Sequence, residues 1–134
     1  MGARLHLEIV SRQRRLMSTE VEEVRIPGLL GELGVLYGHT PLLTALSAGR
    51  VAYTEGASER KLALRRGFAE VQPDRVTILA REAVLPEEVD VEAQRRRLGE
   101  LGEKMKTAPA AELEELREGL RFAEACLEIA GAQE

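Results

Sequence analysis

Pro27-Gly28-Leu29-Leu30-Gly31-Glu32-Leu33-Gly34-Val35-Leu36-Tyr37-Gly38-His39-Thr40-Pro41-Leu42-Leu43-Thr44 is the most constrained stretch of the chain. Four glycines and two prolines restrict its backbone, and apolar side chains fill the intervals. Glycines at 31, 34 and 38 predict positive φ values or the close approach of another backbone. The segment reads either as a turned sheet edge or as a shaped docking surface whose polar groups are Glu32 and His39.

The flanks decide what it belongs to. On its N-terminal side Leu5, Leu7 and Ile9 alternate with His6, Glu8 and Val10, a period of two with one apolar face. Val24 and Ile26 repeat the pattern up to the Pro27-Gly28 turn. Further on, Val51 and Tyr53 face Leu62 and Leu64 across a predicted hairpin loop at Glu55–Glu59. Phe68–Val71 and Val76–Ala80 flank Gln72-Pro73-Asp74-Arg75, where Pro and Asp suit a turn. Short strands at this spacing predict a sandwich or a flattened barrel.

The pattern changes near Pro86. Residues 1–86 carry 12 Lys/Arg against 10 Asp/Glu, and residues 87–134 carry 7 against 13, so +2 and −6 sum to the net −4. A near-neutral, turn-rich part thus precedes an acidic part rich in Leu, Ala, Glu and Arg, which predicts a β unit over 1–86 and a helical unit over 87–134. Asp90 suits the cap of a first helix, and Pro109 suits the first residue of a second. In the second helix Leu113, Leu116, Leu120, Ala123, Leu127 and Ala130 form a seam at spacings of three and four. Phe122, Cys126 and Ile129 form another row, about 120° round the helix. One stripe serves the helical partner; the other is left for the β unit or for another protein.

Composition narrows the function. Two Tyr, two Phe and no Trp leave few rings for stacking on sugars or single-stranded nucleic acid. The negative net charge argues against a nucleic-acid partner. No apolar run approaches the ~20 residues of a membrane span, so direct membrane insertion is not expected. The lone Cys126 excludes an internal disulfide and suits a reducing compartment. No phosphate-binding loop or helical His-Glu zinc motif is present, and His6 and His39 lie far apart. A Cys126–His39 nucleophile pair is the remaining catalytic arrangement, weaker than a structural role for a small buried Cys. The chain is expected to have no catalytic, metal or cofactor-binding residues.

Gly31-Glu32-Leu33-Gly34-Val35-Leu36 followed by Gly38-His39-Thr40-Pro41-Leu42-Leu43-Thr44 closely resembles the signature of the epsilon subunit of rotary F-type ATP synthases of the bacterial type. Gly67-Phe68-Ala69-Glu70-Val71, Val76-Thr77-Ile78-Leu79-Ala80 and Val89-Asp90 follow in the family's order. At Arg65-Arg66-Gly67 the chain departs from the small residue and second glycine usual there.

The resemblance implies an all-β plus α fold: an N-terminal ten-stranded β-sandwich followed by a C-terminal α-helical hairpin. It also implies a non-catalytic rotor subunit in the central stalk of a proton-translocating synthase, peripheral on the cytoplasmic face of the cell membrane. Its partners would be the gamma subunit and the c ring, met through Gly31, Glu32, Leu33, Gly34 and His39. The hairpin, through Arg95, Arg117, Arg121 and Phe122, would touch the catalytic alpha and beta subunits transiently and restrain ATP hydrolysis. ATP binding by the isolated subunit is expected to be weak or absent, because the family's nucleotide motif keeps its aspartate as Asp90 but has Ala93 at the arginine position and Val84 at an acidic one. An independent adaptor of similar shape is the alternative.

Overall fold

The structure is a computed structural model and describes residues 3–131. Residues 1–2 and 132–134, the outer ends of the two predicted segments, lie outside it. Eight strands come first: β1 (Leu5–Ser11), β2 (Arg15–Val21), β3 (Glu23–Gly28), β4 (Gly31–Leu36), β5 (Leu42–Leu46), β6 (Gly49–Glu55), β7 (Ser58–Gln72) and β8 (Arg75–Val84). A 3₁₀ turn at Pro86–Glu88 leads into helices α1 (Val91–Thr107) and α2 (Ala110–Ile129).

The alternation in β1 is realised in full. Leu5, Leu7 and Ile9 are completely buried, opposite Val21, Thr19 and Met17 of β2 and beside Val76 and Ile78 of the parallel β8. Outward-facing His6 is held across the β1–β2 pair, 2.6 Å from Glu20 and 2.8 Å from the Ser18 hydroxyl. Val24, Ile26, Val35, Val51, Leu62, Leu64 and Val71 complete one aliphatic core. Each fully buried side chain of this size contributes about 1.5–3 kcal/mol of transfer free energy.

The resemblance implies ten strands; the described residues form eight. The reason lies in β7 and β8, which each serve both layers. Residues 58–64 of β7 pair with β6, whereas residues 67–71 pair with β5. β8 runs beside β7 throughout, and its first half also pairs with β1. The runs Leu62–Leu64 and Phe68–Val71, which read as separate strands, are therefore one 15-residue strand. One layer holds β4, β3, β6, the first half of β7 and the end of β8; the other holds β5, the second half of β7, the first half of β8, β1 and β2.

The crossing point is Arg66-Gly67. Arg66 adopts φ 57°, in the left-handed region where a non-glycine residue costs of order 1 kcal/mol. A Cβ on Gly67 would lie 2.2 Å from the Leu79 carbonyl oxygen, so β8 passes where only glycine fits. The predicted Glu55–Glu59 loop is shorter than expected: Glu55 and Ser58 pair, leaving a two-residue turn that opens on Gly56.

In the helical part Asp90 caps α1, its carboxylate accepting from the Ala93 amide at 3.1 Å. Pro109 is the residue before α2 rather than its first turn. The helices lie side by side, with Leu101 of α1 against Gly119 of α2. Ala123 and Leu127 of the leucine seam are fully buried. The second row also finds its partner within the chain. Phe122, Cys126 and Ile129 pack with Ala125 on Ala48 and Ala63 of the sandwich and on Val84 and Val89.

Candidate functional site

β4 joins the sheet only through β3, with Glu32 opposite Pro27 and Gly34 opposite Arg25. Val35 points into the core, and Leu33 packs against it. Gly31 and Gly38 take the predicted positive φ values, 132° and 88°. Gly34 does not, and a Cβ there would meet its nearest neighbour, a Glu23 carboxylate oxygen, at an ordinary 3.7 Å. The β3–β4 turn presents Leu29 and Leu30 to solvent, Leu30 fully.

The two polar residues of this stretch are not brought together. Glu32 is the second residue of β4 and lies 3.6 Å from the Arg50 guanidinium. His39 lies beyond the other end of the strand, where its Nδ1 hydrogen-bonds the Thr40 carbonyl at 2.7 Å. It is also remote from any role with Cys126, whose thiol is buried beneath α2 among alanines. Burial pushes that thiol up to about 12, so it remains neutral.

A second surface escaped the sequence reading. Registers across the outer face of the β5–β7–β8–β1 layer place Ala45 opposite Phe68, Phe68 opposite Leu79, and Leu79 beside Val10. Phe68 is 58% exposed, Leu79 56% and nearby Leu43 71%. This apolar row is open to solvent and has no partner among the described residues. A signal was present: Leu79 stands between Ile78 and Ala80, which both face the core, so the apolar run exceeds what period two needs.

The opposite face carries the hairpin. Phe122 is buried in that seam. Glu118 takes N–H bonds from Arg65 at 3.1 Å and Arg66 at 2.8 Å. Farther along α2, Glu128 pairs with Arg50. The remaining arginines singled out lie on the hairpin surface in local pairs: Arg95 with Glu92, and Arg117 and Arg121 both with Glu114. They do not converge on one site. Among the described residues no helix is long and apolar enough to cross a membrane, and no group of three or more His, Cys, Asp or Glu is placed to hold a metal ion.

Fold and surfaces define a β-sandwich that holds a C-terminal helical hairpin on one face and leaves the other open. Comparison with known proteins makes the class specific. The beta-sandwich domain of the ATP synthase delta/epsilon chain matches residues 4–86. The chain is 40% identical over 106 residues to an ATP synthase epsilon chain of Geotalea uraniireducens, covering 79% of this chain and 77% of that one. It is 35% identical over 133 residues to ATP synthase epsilon chain 2 of Syntrophotalea carbinolica, covering 98% and 96%. In three dimensions it is similar to a chain in the cryo-EM structure of the Euglena gracilis mitochondrial ATP synthase OSCP/F1/c-ring in rotational state 1, with a TM-score of 0.81 and 28% identity over 97% of this chain and 82% of that one. The chain belongs to the ATP synthase epsilon-chain family, whose members are non-catalytic subunits.

Proposed function

We propose that this subunit joins the gamma subunit to the c ring in the rotor of a proton-translocating ATP synthase, at the cytoplasmic face of the cell membrane, and that its hairpin restrains ATP hydrolysis. The observation that carries this reading is the division of the sandwich into two unlike faces. One bears the open Phe68–Leu79 row, suited to a permanent protein contact, and the other bears a hairpin. A close-packed sandwich is suited to torque because its interior resists compression. The β3–β4 turn with Leu29, Leu30 and Glu32 supplies the contact with the ring, and Glu32 is the acidic partner for basic groups there. Hairpin arginines 95, 117 and 121 face acidic regions of the alpha and beta subunits, an attraction weakened by salt because the segment is itself net negative.

The test is reconstitution of the synthase complex with the full chain and with a chain ending at residue 86. Both should assemble with gamma and the c ring, and the short chain should raise ATP hydrolysis. Loss of assembly by the double variant Phe68→Ser/Leu79→Ser, with the isolated subunit still folded, would place the rotor contact on the open face. Equal hydrolysis by the two chains at low and high ATP would reject the inhibitory role.

A further inference from the structure

We propose that Glu118, gripped by Arg65 and Arg66, is the latch that holds the hairpin on the sandwich and sets how readily the hairpin leaves it. This rests on the reading of the hairpin as a movable element. It gives a role to Arg65-Arg66-Gly67, where the sequence departs from the small residue and second glycine of the family it resembles.

The Glu118 side chain is only 10% exposed, and that of Arg65 only 16%. A charge withdrawn from water to this degree is tolerated when opposite charge and hydrogen bonds replace the lost hydration. Here one carboxylate oxygen meets Arg65 Nε and the other Arg66 Nε, while Arg65 also lies 3.9 Å from Glu82. Both arginines come from the point where β7 crosses between layers, so the latch fastens α2 to the most constrained backbone of the sandwich.

The rest of the seam is modest. Its buried members are Ala48, Ala63, Ala125, Cys126, Ile129 and one aromatic ring, Phe122. The Arg50–Glu128 pair pins the far end of α2, but both its side chains are more exposed than Glu118. Arg66 also holds the left-handed conformation at φ 57° that glycine would adopt without strain. Such strain persists where surrounding structure requires it, and from this conformation Arg66 reaches Glu118.

The experiment uses the full chain and the alkylation of Cys126, which is buried in the seam and reacts when α2 lifts, read together with hydrogen exchange of the amides. Glu118→Gln should speed alkylation by about ten- to hundredfold, the range for a charged hydrogen bond, and Arg66→Gly, which removes a half-exposed arm, by up to about fivefold. Exchange should quicken in residues 110–129 and stay unchanged in β1, β7 and β8. Arg66→Gly is informative even if Glu118→Gln unfolds the chain, because glycine relieves the backbone strain while removing one arm of the latch. Alkylation unchanged in Arg66→Gly, with wild-type Cys126 still reacting faster than the slowest sandwich amides exchange, would overturn the latch and leave the movable hairpin standing. Wild-type alkylation no faster than that slowest exchange would overturn both.

Discussion

The guanidinium of Arg50 lies 3.6 Å from the carboxylate of Glu32. The same arginine also pairs with Glu128 near the end of α2, so the β3–β4 turn and the hairpin share one cation. Glu32, which stands isolated in the sequence, is therefore partnered in the subunit by a residue 18 positions away.

Replacing Glu32 with Lys puts two cations side by side at an exposed site. The folded state should lose about 1 kcal/mol or less, as for other surface pairs, while coupling in the reconstituted complex falls. The measurement is protons pumped per ATP hydrolysed, alongside thermal unfolding of the isolated subunit. Wild-type pumping by an assembled variant would remove Glu32 from the rotor contact.

Gly67→Ala should be among the most damaging single substitutions. Its Cβ would stand 2.2 Å from the Leu79 carbonyl oxygen, backbone against backbone, and a cost of about 3 kcal/mol at the upper end of overpacking is expected. Gly99→Ala is the contrast. Nothing lies within 4 Å of a Cβ there, so the helix should gain up to about 1 kcal/mol. Urea unfolding of the two variants checks both directions; equal midpoints would contradict the close approach of β7 and β8.

Cys126 makes stability fall in alkali. Its thiol titrates near 9 when the chain is unfolded and is pushed up to about 12 by burial in the seam. The unfolded chain therefore releases the proton first, and the contribution present below pH 9 is lost as pH rises from 9 toward 12. The readout is the difference between wild type and Cys126→Ala, which isolates the thiol. The variant should show the shallower decline; parallel curves would mean the thiol is not buried as described.

Calorimetry with MgATP tests the nucleotide expectation. Asp90 already accepts the Ala93 amide as the cap of α1, and Ala93 offers no guanidinium. Losing one charge-assisted contact weakens binding by about ten- to hundredfold, so no low-micromolar Kd is expected. A low-micromolar Kd would mean that other arginines, such as Arg117 and Arg121, rebuild the site.

Much of the fold was legible because some constraints are local. Period two in Leu5–Val10 and the three-four spacing from Leu113 to Ala130 each state which side chains share a face, and both segments form the element their period names. The Gly- and Pro-marked segment from Pro27 to Thr44, with the ordered blocks after it, was enough to name the family.

Which faces meet was not local. Leu62–Leu64 and Phe68–Val71 read as two strands, since nothing nearby in the chain says that β8 continues alongside both. Phe122, Cys126 and Ile129 read as a stripe with two possible partners, and Ala48, just before β6, and Ala63 of β7 decided between them. Glu32 and His39 read as one polar site, yet an intervening strand holds them at opposite ends and gives Glu32 to Arg50. A single sequence shows the periodicity of each segment, while register between distant segments is selected by burying all apolar faces at once. The elements and the family were therefore determined by the sequence, and the open Phe68–Leu79 row, the latch at Glu118 and the Arg50 bridge by tertiary packing alone.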